Sequence, residues 1–274
     1  MEAEQQQPAA CTFEASVVSD VGTEREHNED QCACFVESAT AGIVAVADGV
    51  SSYPAGATAS KTAIEATVRS YRQLTGMKLD RRMPRAVQQA NIDVYDLSVV
   101  VPELRGMATT LTALAIEDGA LTAAHVGDCR LYLCRGGAIM QLTKDHTVTG
   151  ERVRMGLMSE KRARSHRDRS TLTRCLGREL IVAIDRIATS LRQGDTLILC
   201  SDGLYNVVAE PEMMEIVSGR PAAAASRALV DAANERGTPD NVSAAVINML
   251  GVTPEPPHRR GVLGRLGRLI GRRA

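Results

Sequence analysis

Residues 111–142, LTALAIEDGALTAAHVGDCRLYLCRGGAIMQL, decide the fold. Leu111 to Ile116 is apolar and stops at Glu117-Asp118-Gly119, and Leu121 to Val126 stops at Gly127-Asp128. Leu131 to Cys134 stops at Arg135-Gly136-Gly137, and Ala138 to Leu142 follows. Each run is strand-sized and too short for a helix, and each break carries the glycine that tight turns require. The spacing predicts a β-meander over 108–143. Pairing must then be antiparallel, because turns this short leave no room for a parallel crossover.

On either side the same alternation continues. Residues 12–20 and 31–37 read as strands, joined by a connection that carries Arg25. Gly42 to Ala47 is a continuous apolar strand ending at Asp48-Gly49, Asp195 to Cys200 leads into Ser201-Asp202-Gly203, and Val242 to Leu250 follows Pro239-Asp240-Asn241. Helical spacing runs through Ala59, Ala63, Ile64, Thr67, Val68 and Tyr71 in 56–74, and recurs at 84–100, 210–218 and 221–236. Strands in consecutive sets and helices in pairs predict an α+β fold of antiparallel sheets covered by helices.

Composition narrows the function classes. Of the 274 residues 44% are hydrophobic but only 3% aromatic, with no Trp, so the core must be aliphatic. Stacking platforms for single-stranded nucleic acid are not expected, and no nucleic-acid partner is. Residues 258–274 carry six Arg and no acid, which leaves the rest at −7 against the chain's −1. Seven Cys, an odd number without a framework and mostly inside apolar runs, read as reduced thiols. Cys32-Ala33-Cys34 beside His27 lacks the spacing of a zinc site. The polar, acidic start and the lack of a ~20-residue apolar stretch predict a soluble, cytoplasmic protein.

Five aspartates stand where strands end or begin. They are Asp30 in Arg25-Glu26-His27-Asn28-Glu29-Asp30, Asp48 in Val46-Ala47-Asp48-Gly49, Asp128 in His125-Val126-Gly127-Asp128, Asp202 in Cys200-Ser201-Asp202-Gly203, and Asp240 in Pro239-Asp240-Asn241. An isolated Asp-Gly is ordinarily a turn. Carboxylates gathered at one rim without His or Cys would instead suit Mg²⁺ or Mn²⁺. Arg25 beside them is a natural phosphate clamp, and the combination points to metal-assisted hydrolysis of a phosphate ester. No protein nucleophile is required by that chemistry, and none is suggested here.

These motifs, in this order, resemble the metal-dependent protein serine/threonine phosphatases of the 2C class in their compact bacterial form. Besides the aspartate motifs, Ser19-Asp20-Val21-Gly22, Gly106-Met107-Ala108-Thr109-Thr110, Leu142-Thr143-Lys144-Asp145-His146-Thr147 and Leu172-Thr173-Arg174-Cys175-Leu176-Gly177 match it. The resemblance covers about 12–250. It implies a four-layer α-β-β-α sandwich with the metals in a cleft at one end. By position Asp30, Asp48, Asp202 and Asp240, with the Gly49 carbonyl, would hold two Mn²⁺ or Mg²⁺ ions. Asp128 with Asp202 would hold a third, weaker ion, and Arg25 would bind the substrate phosphate. The expected substrates are phosphoserine and phosphothreonine proteins, in opposition to a bacterial Ser/Thr kinase, and the expected state is a monomer. A pseudophosphatase that only binds phosphoproteins, or a phosphatase specialised for anti-anti-sigma factors, are the rival readings.

Departures from that pattern are local. After Asp48-Gly49 the chain reads Val50-Ser51-Ser52-Tyr53-Pro54, without the family's further glycines and without the His that protonates the leaving group in many eukaryotic members. His27 and His146 are the candidate stand-ins. The basic stretch Arg152 to Arg169 corresponds to the flap bordering the site, read either as a steering surface for acidic substrates or as a solvated loop. The chain is thus expected to divide into a disordered 1–11, a catalytic domain 12–251, and a proline linker with a basic tail, 252–274. In the tail Val262, Leu263, Leu266, Leu269 and Ile270 share one helical face, opposite Arg265, Arg268 and Arg272. Folding on an anionic membrane surface or an acidic partner is one expectation, and a plain basic tail or docking on the chain's own acidic body are the others.

Overall fold

The computed structural model describes residues 11–50 and 54–252. The expected lead-in and the tail 258–274 therefore lie outside the described residues, apart from Cys11, which opens the first strand. Among the described residues ten strands run β1 (Cys11–Asp20), β2 (Asp30–Val36), β3 (Ala41–Asp48), β4 (Leu111–Glu117), β5 (Ala120–Val126), β6 (Arg130–Arg135), β7 (Ala138–Gln141), β8 (Asp185–Ser190), β9 (Thr196–Cys200) and β10 (Val242–Val252). The helices are α1 (Ala55–Gln73), α2 (Leu79–Val100), α3 (Val148–Arg154), α4 (Glu160–Arg164), α5 (Asp202–Tyr205), α6 (Glu210–Val217) and α7 (Ala222–Glu235).

The strands form two five-stranded sheets, ordered β1-β10-β9-β6-β7 and β2-β3-β4-β5-β8, and the strand pairs are antiparallel. Helices α1 and α2 bury Ala59, Ala63, Met83, Val87 and Ala90 against the second sheet. Helix α7 buries Ala225, Leu229 and Ala233 against the first sheet, with Met213 of α6 in the same cluster. Between the sheets lie Val44, Val46, Leu114, Leu131, Leu199, Ala245 and Ile247. The architecture is the expected α-β-β-α sandwich. Its core is aliphatic, and a fully buried Leu in it contributes about 1.5–3 kcal/mol.

The meander is corrected. Strands β4 and β5 form one hairpin and β6 and β7 another, but the two belong to different sheets, and the chain crosses between them at Gly127-Asp128. Local spacing specifies hairpins and says nothing about which sheet each joins. Strand β8 was not expected. It is an edge strand with alternating half-buried and exposed residues, and Asp185-Arg186-Ile187-Ala188-Thr189-Ser190 lacks the apolar run that marks the central strands.

Candidate active site

Antiparallel register builds the rim. Asp30, the first residue of β2, is the direct cross-strand partner of Asp48, the last residue of β3. In the other sheet Cys200 of β9 sits between Ala244 of β10 and Arg130 of β6. That register brings Asp202, just past β9, beside both Asp240, just before β10, and Asp128, just before β6. The two halves are joined by a hydrogen bond in which Ser201 Oγ donates to Asp30 Oδ2 at 2.6 Å. Five carboxylates from two sheets thus share one end of the sandwich.

Hydrogen bonds from motifs without assigned chemistry hold them. Thr110 donates its amide to the Asp48 carbonyl at 2.8 Å, Asp48 donates its amide to Thr110 Oγ1 at 3.0 Å, and Thr109 Oγ1 donates to the same carbonyl at 2.8 Å. Asn241 Oδ1 accepts from the Glu29 amide at 2.8 Å, while its Nδ2 donates to the Val21 carbonyl at 2.8 Å and the His27 carbonyl at 2.9 Å. The sequence marked Thr109, Thr110 and Asn241 only as motif members. Their work is to fasten backbones that lie far apart in the chain. Close approach explains two glycines: a Cβ on Gly49 would lie 2.4 Å from the Gly56 carbonyl oxygen, and one on Gly203 would lie 2.0 Å from that of Asn241.

Electrostatics show what the cluster lacks. Asp30 is only 1% exposed, and its Oδ1 has no hydrogen-bond partner. Burial, reinforced by Asp202 and Asp240, lifts its pKa to about 7 despite the Ser201 hydrogen bond. Burial and then Asp240 lift Asp202 to about 6, and burial with carboxylate neighbours raises Asp48 and Asp128 well above the usual range. A buried carboxylate oxygen without a donor, amid mutually repelling carboxylates, is the setting a divalent cation relieves. Among the described residues no three such side chains close on one point as direct ligands of a single ion. A set of carboxylate oxygens without His or Cys suits Mg²⁺ or Mn²⁺, ions that commonly keep part of their water shell.

Arg25 sits at this rim with its side chain about half exposed, and its Nη2 lies 2.9 Å from Asp240 Oδ2. His146 is corrected as a stand-in acid. It is fully buried, and its Nδ1 accepts from the Gly127 amide at 3.1 Å, which leaves the ring proton on Nε2, 3.2 Å from Asp185 Oδ2. Burial lowers its pKa. It supports the Asp128 turn from beneath. His27 is exposed on the Arg25 loop. The stretch 144–170 folds into α3 and α4 and, with α5 and α6, borders an open cleft of about 920 Å³ lined by Asp128, Asp202, Arg154, Arg164 and Arg169 among others. Arg154 pairs with Glu151, and Arg164 lies 3.8 Å from Glu210, so part of its positive charge is neutralised locally.

The sequence profile of the family described as Protein phosphatase 2C matches residues 22–246. The serine/threonine phosphatase stp of Listeria monocytogenes is 34% identical over 234 residues, 84% of this chain and 93% of its own. The Mycobacterium tuberculosis serine/threonine phosphatase PstP/Ppp superposes with a TM-score of 0.79 at 32% identity, over 87% of this chain and 99% of that one. The catalytic domain of the serine/threonine protein phosphatase PstP in complex with two manganese ions superposes with a TM-score of 0.77 at 31% identity, over 88% and 99%. This chain belongs to the protein phosphatase 2C family and is, by class, a protein serine/threonine phosphatase.

Proposed function

We propose that this protein is a Mn²⁺- or Mg²⁺-dependent phosphatase that removes phosphate from phosphoserine and phosphothreonine in proteins, opposing a bacterial Ser/Thr kinase. The observation that carries the reading is the buried, unpartnered Oδ1 of Asp30 among carboxylates drawn from both sheets. Asp30, Asp48, Asp202 and Asp240, with the Gly49 carbonyl, would hold the two core ions. Asp128 and Asp202 would hold a third. Such ions supply neutralisation of the phosphoryl oxygens and a water made acidic enough to act as nucleophile near neutral pH. Arg25 orients the ester by binding two phosphoryl oxygens, leaving Asp240 to do so. With His146 buried beneath the Asp128 turn, water or His27 on the Arg25 loop would supply the proton to the leaving oxygen. Manganese in the PstP complex and the phosphatase activity named for the relatives support the same assignment.

Hydrolysis of a phosphothreonine peptide with Mn²⁺, and its loss in EDTA, is the direct test. Turnover that persists unchanged in EDTA would overturn the metal assignment. Arg25→Ala is expected to raise KM for the peptide about tenfold, more than it lowers kcat, with Lys rescuing only part because it lacks the planar fork. An unchanged KM would reduce Arg25 to a loop anchor for Asp240.

Asp128→Ala separates the third ion from the pair. Calorimetric titration with Mn²⁺ should keep the tighter class of sites and lose the weaker, while dephosphorylation of a protein substrate falls. Loss of all Mn²⁺ binding would place Asp128 in the core instead. The cytoplasm is the proposed location. The arginine-rich tail 258–274 is proposed to attach the protein to an anionic membrane surface or an acidic partner; among the described residues no helix is long and apolar enough to cross a membrane.

A further inference from the structure

We propose that Tyr205 is a positioning residue that sets the geometry of the Asp128–Asp202 pair and so tunes the weaker ion site; this rests on the metal role proposed above for Asp128. Helix α5 begins at Asp202, and Tyr205 lies one turn further on, three residues away. Its hydroxyl donates to the Asp128 carbonyl at 3.1 Å, across 77 residues of sequence. One helical turn therefore carries a carboxylate and, through the phenol, grips the backbone of the opposing carboxylate. The two aspartates cannot separate unless this bond breaks or α5 shifts.

The ring is itself clamped. The Arg130 guanidinium stacks over it at 3.7 Å from the centroid, within cation–π range. Arg130 is held in turn by Asp145, Nε donating to both carboxylate oxygens at 3.1 Å and Nη2 donating to Oδ2 at 2.7 Å, while its Nη1 donates to Tyr132 Oη at 3.1 Å. Gln141 Nε2 donates to Asp145 Oδ1 at 2.9 Å. Asp128, Arg130, Asp145, Asp202 and Tyr205 all line the 920 Å³ cleft beneath α3 and α4. The stack is a wall shared by the proposed ion site and that cleft.

The test is titration of MnCl₂ into the metal-free full-length chain, followed by calorimetry and by Mn²⁺ electron paramagnetic resonance. Tyr205→Phe keeps the stacked ring and deletes only the hydroxyl. It is expected to leave the tighter class of sites unchanged and to weaken the weaker class about three- to tenfold, the worth of one hydrogen bond. Tyr205→Phe indistinguishable from the parent in both classes, while Asp128→Ala loses the weaker one, overturns the role of Tyr205 alone. Asp128→Ala that retains both classes overturns the metal role of Asp128 and this proposal with it. A loss spread equally over both classes in Tyr205→Phe also overturns it, since a positioning contact at one site would not weaken the other.

Discussion

Asp202→Ala is expected to lower kcat/KM for a phosphothreonine peptide by about 10³-fold or more at saturating Mn²⁺, because it removes a carboxylate proposed to serve both the core pair and the third ion. The fold should survive. Asp202 is one of several carboxylates that repel one another at the rim, and its own pKa is lifted to about 6 by burial and by Asp240. Removing it relieves that repulsion, so the metal-free variant should melt at or above the temperature of the parent. The Asn206 amide that donates to Asp202 Oδ2 at 3.1 Å lies on an exposed residue and can turn to water. Activity within tenfold of the parent, with the melting temperature maintained, would sink the assignment of Asp202.

Stability without metal should fall as pH rises. Asp30 titrates near 7 in the folded protein and Asp202 near 6, against roughly 3.9 for an unfolded Asp. Between those values the folded state binds more protons than the unfolded one, so unfolding becomes easier with each step up in pH. His125 opposes this: burial lowers its folded pKa from 6.5 to about 4, so its contribution to stability grows as pH rises through that interval. That opposing effect, which the buried His146 shares, ends only about one pH unit above 6.5, while Asp30 is still titrating there and Asp48 and Asp128 are raised well above the usual range. From pH 6.5 to 8.5 in EDTA the four raised carboxylates should outweigh the two lowered histidines and reduce the melting temperature. Added Mn²⁺ should stabilise the protein more at pH 8.5 than at 6.5, because protons no longer compete for the same oxygens. A melting temperature in EDTA that is flat across this window would mean that the carboxylates are not buried together as the geometry requires.

Much of the catalytic end is legible in the primary structure because its residues fall where local patterns change. Asp48 ends an apolar strand at a Gly-containing turn, Asp202 follows another such strand, and Asp240 precedes a third. The helical periods of α1, α2, α6 and α7 are equally local, and their bounds fall near those expected. Strand β8 escaped because an exposed edge strand needs no apolar run. Helices α3 and α4 escaped because they are short and polar; each starts at a side-chain cap, Thr147 accepting from Gly150 and Ser159 from Arg162, which carries little periodic signal.

Other features have no local signature at all. Division of one apparent meander between two sheets depends on which strands bury Leu131 and Leu133 against Leu199 and Ala245, a choice made by packing over long sequence separations. The roles of Ser201, Asn241 and Tyr205 are likewise long-range: Ser201 meets Asp30 across 171 residues, and Asn241 meets Glu29 across 212. The order of turns, apolar periods and aspartate motifs by itself determined the α+β class, the phosphatase family and the residues to suspect. Only the tertiary structure decided that Asp30 and Asp48 face one another in register, that His146 is buried beneath the Asp128 turn, and that Arg25 rests on Asp240. Hydrogen-bond register and burial join residues that the chain keeps far apart, and neither is written in any single stretch of it.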